Sequence, residues 1–190
     1  MAETIAVLSL KGGTGKTTTV RTLADVFRQI GLDVLCIDLD PQGNLSDYFD
    51  VPPDAAPTIA DVLAGEAKAS EAVHEGFIPA TPILAEVERA MSGKMGRELV
   101  LRKALKDARK QHDVILIDCP PALGLLTVNG LVASDWAIVS AEAAHFSRSE
   151  ESRENGARSR ISQPWAAHSP TGSRTLSARP IQPLATEKLP

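Results

Sequence analysis

The stretch Lys11-Gly-Gly-Thr-Gly-Lys-Thr-Thr18 decides the fold of this 190-residue chain. It follows the apolar, partly β-branched segment 4–10, which is typical of a buried strand. After it, apolar residues recur at helical spacing up to Gly31, which stands where a helix commonly ends. The stretch is therefore predicted to connect a strand to a helix. The apolar face of that helix is predicted to consist of Val20, Leu23, Ala24, Phe27 and Ile30.

A glycine loop between a strand and a helix suits the binding of phosphate. The free N–H groups and positive dipole end of a helix attract anions, and glycines let a phosphate approach the backbone closely. Lys16 is placed to reach the β- and γ-phosphates of a nucleotide, and the Thr17 hydroxyl to ligate Mg²⁺. The strict P-loop pattern has a glycine near Leu10, whereas this chain has an extra lysine, Lys11. The alternative is a glycine-rich turn that binds nothing.

Further strands and helices alternate along the chain. Residues 34–39 are predicted to form a second buried strand, and Thr58 to cap a short helix. Residues 77–84 contain two prolines, which favours either an edge strand or an extended loop. This alternation predicts an α/β fold, with a mostly parallel sheet flanked by helices. The later predicted elements are a helix at 97–111, a strand at 113–118, a helix at 123–133 and a strand at 136–140.

Charge and composition divide the chain near residue 146. The whole chain has a net charge of −4, which excludes a protein that coats nucleic acid through bulk positive charge. Residues 1–146 have a net charge of −7 and residues 147–190 a net charge of +3. The second segment contains eight Ser, five Pro and six Arg, and its few large apolar residues follow no period. We therefore expect an ordered domain at 1–146 and a disordered tail at 147–190.

The cysteines and the hydropathy of the chain predict a cytoplasmic protein. Two cysteines cannot form a disulfide framework, and no run of 18 or more apolar residues is present. Cys36 and Cys119 fall in apolar strands, so they are predicted to be small core residues.

A basic stretch surrounds the predicted helix at 97–111. It could contact DNA phosphates, or it could be a solvated helix face. Its regular apolar face and the interrupting acidic residues favour the solvated face. The basic residues are Lys94, Arg97, Arg102, Lys103, Lys106, Arg109 and Lys110.

Three motifs at strand ends together resemble one family. The stretch 11–18 looks like the deviant Walker A box of the ParA/MinD ATPases. Asp38-Leu-Asp40-Pro-Gln-Gly-Asn44 looks like the second motif of the ParA (Soj-like) branch, and Ile115-Leu-Ile-Asp118-Cys-Pro-Pro121 like its Walker B segment. The resemblance covers residues 1 to about 146. It implies a P-loop NTPase-type fold and a partitioning ATPase.

The resemblance also implies ATP and Mg²⁺ as ligands, and a role for each matching residue. Lys11 matches the lysine that crosses a dimer interface to the partner's phosphates. Asp40 matches the position that helps orient the attacking water. Asp118 matches the carboxylate that holds Mg²⁺ through a water molecule, and Thr17 is the other expected metal ligand. Lys11, Lys16 and Asp40 are thus the expected catalytic residues. The expected nucleotide-binding residues are Lys11, Gly12, Gly13, Thr14, Gly15, Lys16, Thr17 and Thr18.

The partners implied by the resemblance are a second copy of the chain, non-specific DNA and a ParB-like centromere-binding protein, with nucleoid association where DNA is bound. No C-terminal amphipathic helix is apparent, which disfavours a MinD-like membrane role.

The resemblance also predicts an incomplete fold, because relatives of this kind continue past the strand at 136–140. Residues from about 147 are expected to derive from a frameshift or a truncated gene. Two alternatives stay open: an inactive remnant that at most binds nucleotide, and a MinD-like sister ATPase with another cargo.

Overall fold

The computed structural model describes residues 1–9, 11–52 and 54–141 of the chain. The strands within these residues are β1 (Glu3–Leu8), β2 (Val34–Asp38), β3 (Phe77–Ile78), β4 (Val114–Asp118) and β5 (Trp136–Val139). They form one sheet in the order β3-β2-β4-β1-β5, and every pair of neighbours is parallel. The predicted α/β fold with a mostly parallel sheet is therefore confirmed. The predicted tail at 147–190 lies outside the described residues.

Helices cover both faces of this sheet. Because side chains alternate along a strand, Ile115 and Ile117 of β4 belong to one buried cluster, and Val114 and Leu116 to another. The α-helices are α1 (Lys16–Gln29), α2 (Asn44–Tyr48), α3 (Ile59–Ala64), α4 (Leu84–Met91), α5 (Val100–Ala104), α6 (Ala108–Gln111) and α7 (Leu125–Ala133). Helices α1 and α2 pack in the second cluster, and the other five pack in the first.

The prediction of a single helix at 97–111 is wrong, because three short helical segments occupy this range. A 3₁₀ turn at Arg97–Leu99 precedes α5, and a turn separates α5 from α6. Asn129 of α7 stabilises the first break: its side-chain oxygen accepts from the N–H of Leu101 at 3.1 Å, and its nitrogen donates to the carbonyl of Arg97 at 2.9 Å. A side chain from elsewhere in the fold thus satisfies backbone groups that another helical turn would have used.

Smaller differences occur at the ends of elements. Ile30 was expected on the apolar face of α1 but is 67% exposed, because α1 ends at Gln29 and Gly31 turns the chain away in a left-handed conformation (φ 87°). Residues 77–84 form a two-residue edge strand and a turn, and the unpredicted helix α4 begins at Leu84.

The predicted helix cap at Thr58 is confirmed, since its hydroxyl accepts from the N–H of Ala60 at 3.2 Å.

Two further predictions concern burial and membranes. Cys36 and Cys119 are both fully buried, as expected of small core residues. Across residues 1–9, 11–52 and 54–141, no helix is long and apolar enough to span a bilayer.

Candidate functional site

The glycine loop lies between the carboxyl end of β1 and the start of α1. Gly13 (φ 77°) and Gly15 (φ 83°) are left-handed, a conformation that only glycine adopts without strain. A Cβ added to Gly12, Gly13 or Gly15 would meet no atom within 4 Å, so the side of the loop where side chains would project is open. The loop therefore leaves room for a ligand to lie against its backbone, next to the positive end of α1.

A cavity of about 370 Å³ opens at this loop. Its walls come from the glycine loop, the turn that follows β2 and the segment that follows β4, so three adjacent strands contribute at their carboxyl ends. The structure thus brings Asp40 together with most of the predicted nucleotide-binding residues. The lining residues are Gly12, Gly13, Gly15, Lys16, Thr17, Thr18, Asp40, Gln42, Asn44 and Pro121.

Two of the predicted nucleotide-binding residues, Lys11 and Thr14, lie outside this lining. The carbonyl of Lys11 accepts from the Ser9 hydroxyl at 2.6 Å and from the Thr14 hydroxyl at 3.3 Å, while the residue itself is exposed. The Thr14 hydroxyl oxygen also lies 2.9 Å from that of Ser140, just after β5. The contact of Thr14 with Ser140 holds the glycine loop against the segment that follows β5. Nucleotide contact by any of the predicted residues remains a prediction.

Thr17 and Asp118 meet beside the cavity. The Thr17 hydroxyl donates to Oδ2 of Asp118 at 2.6 Å, whereas Oδ1 of Asp118 is buried and has no hydrogen-bond partner among the described residues. Burial raises the pKa of Asp118 to about 7, and the charges of Asp38 and Asp40 act in the same direction. The Thr17 hydrogen bond and the charge of Lys16 lower this pKa in part.

The donor set at Thr17 and Asp118 fits a magnesium ion. A hydroxyl and a carboxylate are oxygen ligands, which Mg²⁺ prefers, and Mg²⁺ usually retains several waters. The unpartnered Oδ1 of Asp118 is the kind of buried acceptor that a bound cation or its water would satisfy.

Asp38 is a functional candidate that the sequence reasoning missed. Its Oδ1 accepts from the N–H of Asp40 at 2.9 Å, and its Oδ2 accepts from the N–H and hydroxyl of Ser46 at 3.0 and 2.9 Å. These bonds fix the turn that carries Asp40. Burial raises the pKa of Asp38 to about 6, and Asp38 lies in register with Asp118 on β4. The available signal was the two-residue spacing of Asp38 and Asp40 at the end of a buried strand.

Replacing Asp118 by asparagine is expected to stabilise the metal-free chain at alkaline pH. The folded state raises the pKa of Asp118 above its ordinary value of 3.8. Between about pH 4 and 7, the folded chain therefore keeps a proton on Asp118 that the unfolded chain has already released. Asp118 therefore contributes a loss of wild-type stability across this window, and Asp118→Asn removes that contribution, while the smaller one from Asp38 remains. One pKa unit is worth about 1.4 kcal/mol, and the new amide lacks an acceptor, so we expect a gain of about 1 to 3 kcal/mol at pH 8.

The measurement is urea unfolding of both chains in EDTA from pH 4 to pH 8. The exposed Asp54→Asn serves as the matched control and should leave the profile unchanged. An equal difference between Asp118→Asn and wild type at pH 4 and at pH 8 would contradict the assigned titration.

Comparison with known proteins identifies the family. A family model described as "AAA domain" matches residues 2–151. The sporulation initiation inhibitor protein Soj of Bacillus subtilis is 37% identical over 153 residues, which cover 77% of this chain and 60% of Soj. The chromosome partitioning protein ParA of Myxococcus xanthus is 35% identical, over 75% of this chain and 53% of that protein. This chain thus spans between about half and three fifths of these relatives' length.

A solved structure shares the fold together with this sequence similarity. The crystal structure of cobyrinic acid a,c-diamide synthase from Mycobacterium smegmatis, with bound ATP analog and magnesium, is 39% identical and superimposes with a TM-score of 0.70. It covers 74% of this chain, which in turn covers 60% of that one. These findings confirm the resemblance drawn from the three sequence motifs. The chain belongs to the AAA-domain family, as a ParA/Soj-like member of it.

Proposed function

We propose that this chain binds and hydrolyses ATP with Mg²⁺. The observation that carries the proposal is the open glycine loop at the start of α1, with Lys16 lining its cavity and Thr17 bonded to the half-satisfied carboxylate of Asp118. A solved structure of a 39% identical protein with bound ATP analog and magnesium supports it. Magnesium, when bound, would neutralise charge on the phosphates.

The residues of the chain divide the work in this proposal. The backbone of the glycine loop and Lys16 bind the phosphates, and Lys16 offsets part of the negative charge of Asp118. Asp40 orients the attacking water, while its backbone is fixed by Asp38. Lys11, which is exposed, reaches the phosphates of a second copy of the chain and stabilises the charge that develops on the transferred group. Thr17 and Asp118 hold the metal.

The biological role that we propose is DNA partitioning. ATP drives the formation of a homodimer, the dimer associates with non-specific DNA, and a ParB-like partner stimulates hydrolysis. Similarity to the Soj of Bacillus subtilis and the ParA of Myxococcus xanthus supports this role. Residues 1–146 form the ATPase domain in this proposal, residues 147–190 form a separate tail, and the protein acts in the cytoplasm.

Hydrolysis of ATP by the full chain tests the proposal. Phosphate release is measured in Mg²⁺ and in EDTA, with and without duplex DNA, and the mass of the particle is followed by light scattering. We expect hydrolysis only with Mg²⁺, stimulation by DNA, and a doubled mass with ATP. Removing the hydroxyl that meets Asp118, in Thr17→Ala, should lower the rate about ten-fold or more.

Thr22→Ala is the matched control for this experiment. Thr22 is an exposed threonine on the same helix, and its hydroxyl donates to the carbonyl of Thr18 at 2.8 Å. Its replacement should leave the rate unchanged. Nucleotide binding without turnover would favour an inactive remnant, and turnover that ignores DNA would favour a sister ATPase with another cargo.

A further inference from the structure

A basic cavity lies at the end of the sheet opposite the glycine loop. Met1 precedes β1 and Asp135 directly precedes β5, so this cavity opens at the amino ends of the parallel strands. Its volume is about 460 Å³, within the range of about 300–1,000 Å³ typical of small-molecule sites. Its lining residues are Met1, Leu99, Arg102, Lys103, Lys106, Arg109 and Asp135.

Arg109 forms a fixed part of the wall. Its guanidinium donates to Oδ2 of Asp135 at 2.6 Å and, at 3.3 Å each, to the carbonyls of Ala2 and Ala133. These bonds join the start of the chain to the end of α7 and the start of β5. Among the described residues of the lining, Asp135 is the single acidic one, and its charge is already matched by that of Arg109.

Three more cations of the lining lack such a partner. Arg102, Lys103 and Lys106 are exposed, and none of them takes part in an ion pair between residues that the structure describes. Three like charges held around one small cavity repel one another, and a bound anion relieves that repulsion. The concentration of positive charge is local, because the chain as a whole has a net charge of −4.

We propose that this cavity is a second anion site, which binds a chain of phosphate groups. Guanidinium and ammonium groups bind phosphate through charge-assisted hydrogen bonds, and the fork of Arg102 suits two phosphate oxygens. A phosphate chain carries about one negative charge per group. It therefore matches three cations in a compact volume that form no ion pair with the residues that the structure describes. Such a chain is present both in free polyphosphate and in the backbone of DNA. The site does not depend on ATP hydrolysis at the glycine loop.

Titration of the full chain with inorganic tripolyphosphate, and in parallel with a short DNA duplex, tests this site. The background carries Lys16→Ala, which weakens competing phosphate binding at the glycine loop. The test variant adds Arg102→Gln, Lys103→Gln and Lys106→Gln. We expect it to bind tripolyphosphate about ten-fold or more weakly, with a shallower salt dependence.

The matched control removes the same number of charges elsewhere, as Arg21→Gln, Arg89→Gln and Lys94→Gln, all at exposed positions. Thermal unfolding of both variants checks that the fold is retained. If the test variant loses binding to tripolyphosphate but keeps binding to DNA, the site is assigned to free polyphosphate. If it loses binding to both ligands, the site also binds the DNA backbone.

Equal binding of both ligands by the test and control variants would overturn the proposal. Binding of poly-glutamate as tight as that of tripolyphosphate would overturn the assignment to phosphate. ATP hydrolysis is measured separately with Lys16 intact, so failure of the proposed ATPase activity remains distinguishable from failure of this site.

Discussion

The Lys16→Ala chain is expected to lose ATP hydrolysis to background and to bind ATP about a hundred-fold more weakly. Lys16 lines the cavity with only 7% of its surface exposed, and its charge lowers the pKa of Asp118. Without this cation, the negative charge of Asp40 and of the partly ionised Asp38 and Asp118 is left uncompensated in the site. Phosphates would then be repelled as well as deprived of a charge-assisted contact. Titration with a fluorescent ATP analogue and phosphate release measure the two effects.

Lys11→Ala is the informative comparison, because it removes the same side chain from the same loop. Lys11 is exposed and is absent from the lining of its own cavity. If it acts on the nucleotide of a second copy, its loss should leave the affinity for ATP within about three-fold and abolish turnover. Hydrolysis of ATP by the Lys16→Ala chain at the wild-type rate would exclude the glycine loop as the site of the reaction.

The glycine loop and the carboxylates could be predicted because their signals are local. A buried strand, three glycines and a helical period within about 30 residues determine one connection, and the carboxyl ends of parallel strands meet at one edge. Asp40 and Asp118 were assigned from the resemblance of their motifs to the ParA branch, and their positions just after β2 and at the end of β4 agree with that assignment. Asp38 was missed because its part is defined by bonds to Ser46 and to the backbone of Asp40, which appear only once the turn is folded.

The basic stretch shows where local signals end. Its apolar residues Leu101, Leu105 and Ala108 are buried as the helical period predicts. The helix nevertheless breaks, because Asn129, from a distant part of the sequence, binds the backbone at its start. The second cavity likewise depends on Met1 and Asp135, which no sequence period relates to the basic residues. Such features follow from tertiary contacts, which override local preference.

Gly130→Val is expected to lower the free energy of unfolding by about 3 kcal/mol or more. Gly130 lies in α7, and even a Cβ at this position would lie 2.7 Å from Sγ of Cys119 and 3.4 Å from Cδ1 of Leu39. Cys119 is fully buried and directly follows Asp118, so displacing its Sγ disturbs packed core next to the site. The bare backbone of Gly130 therefore allows α7 to pack closely against the end of β4.

Gly93→Val is the matched control, because a Cβ on Gly93 would meet nothing within 4 Å; it should change the stability by about 1 kcal/mol or less. A smaller substitution, Gly130→Ala, tests whether crowding against Sγ is the cause. If it is, Gly130→Ala should cost less stability in a chain that also carries Cys119→Ala, so the effects of the two substitutions are not additive. Strict additivity in urea unfolding would place the cost elsewhere. Because the displaced atom adjoins Asp118, Gly130→Val chains that remain folded should also bind Mg²⁺-ATP more weakly, which connects the packing of α7 to the site at the sheet edge.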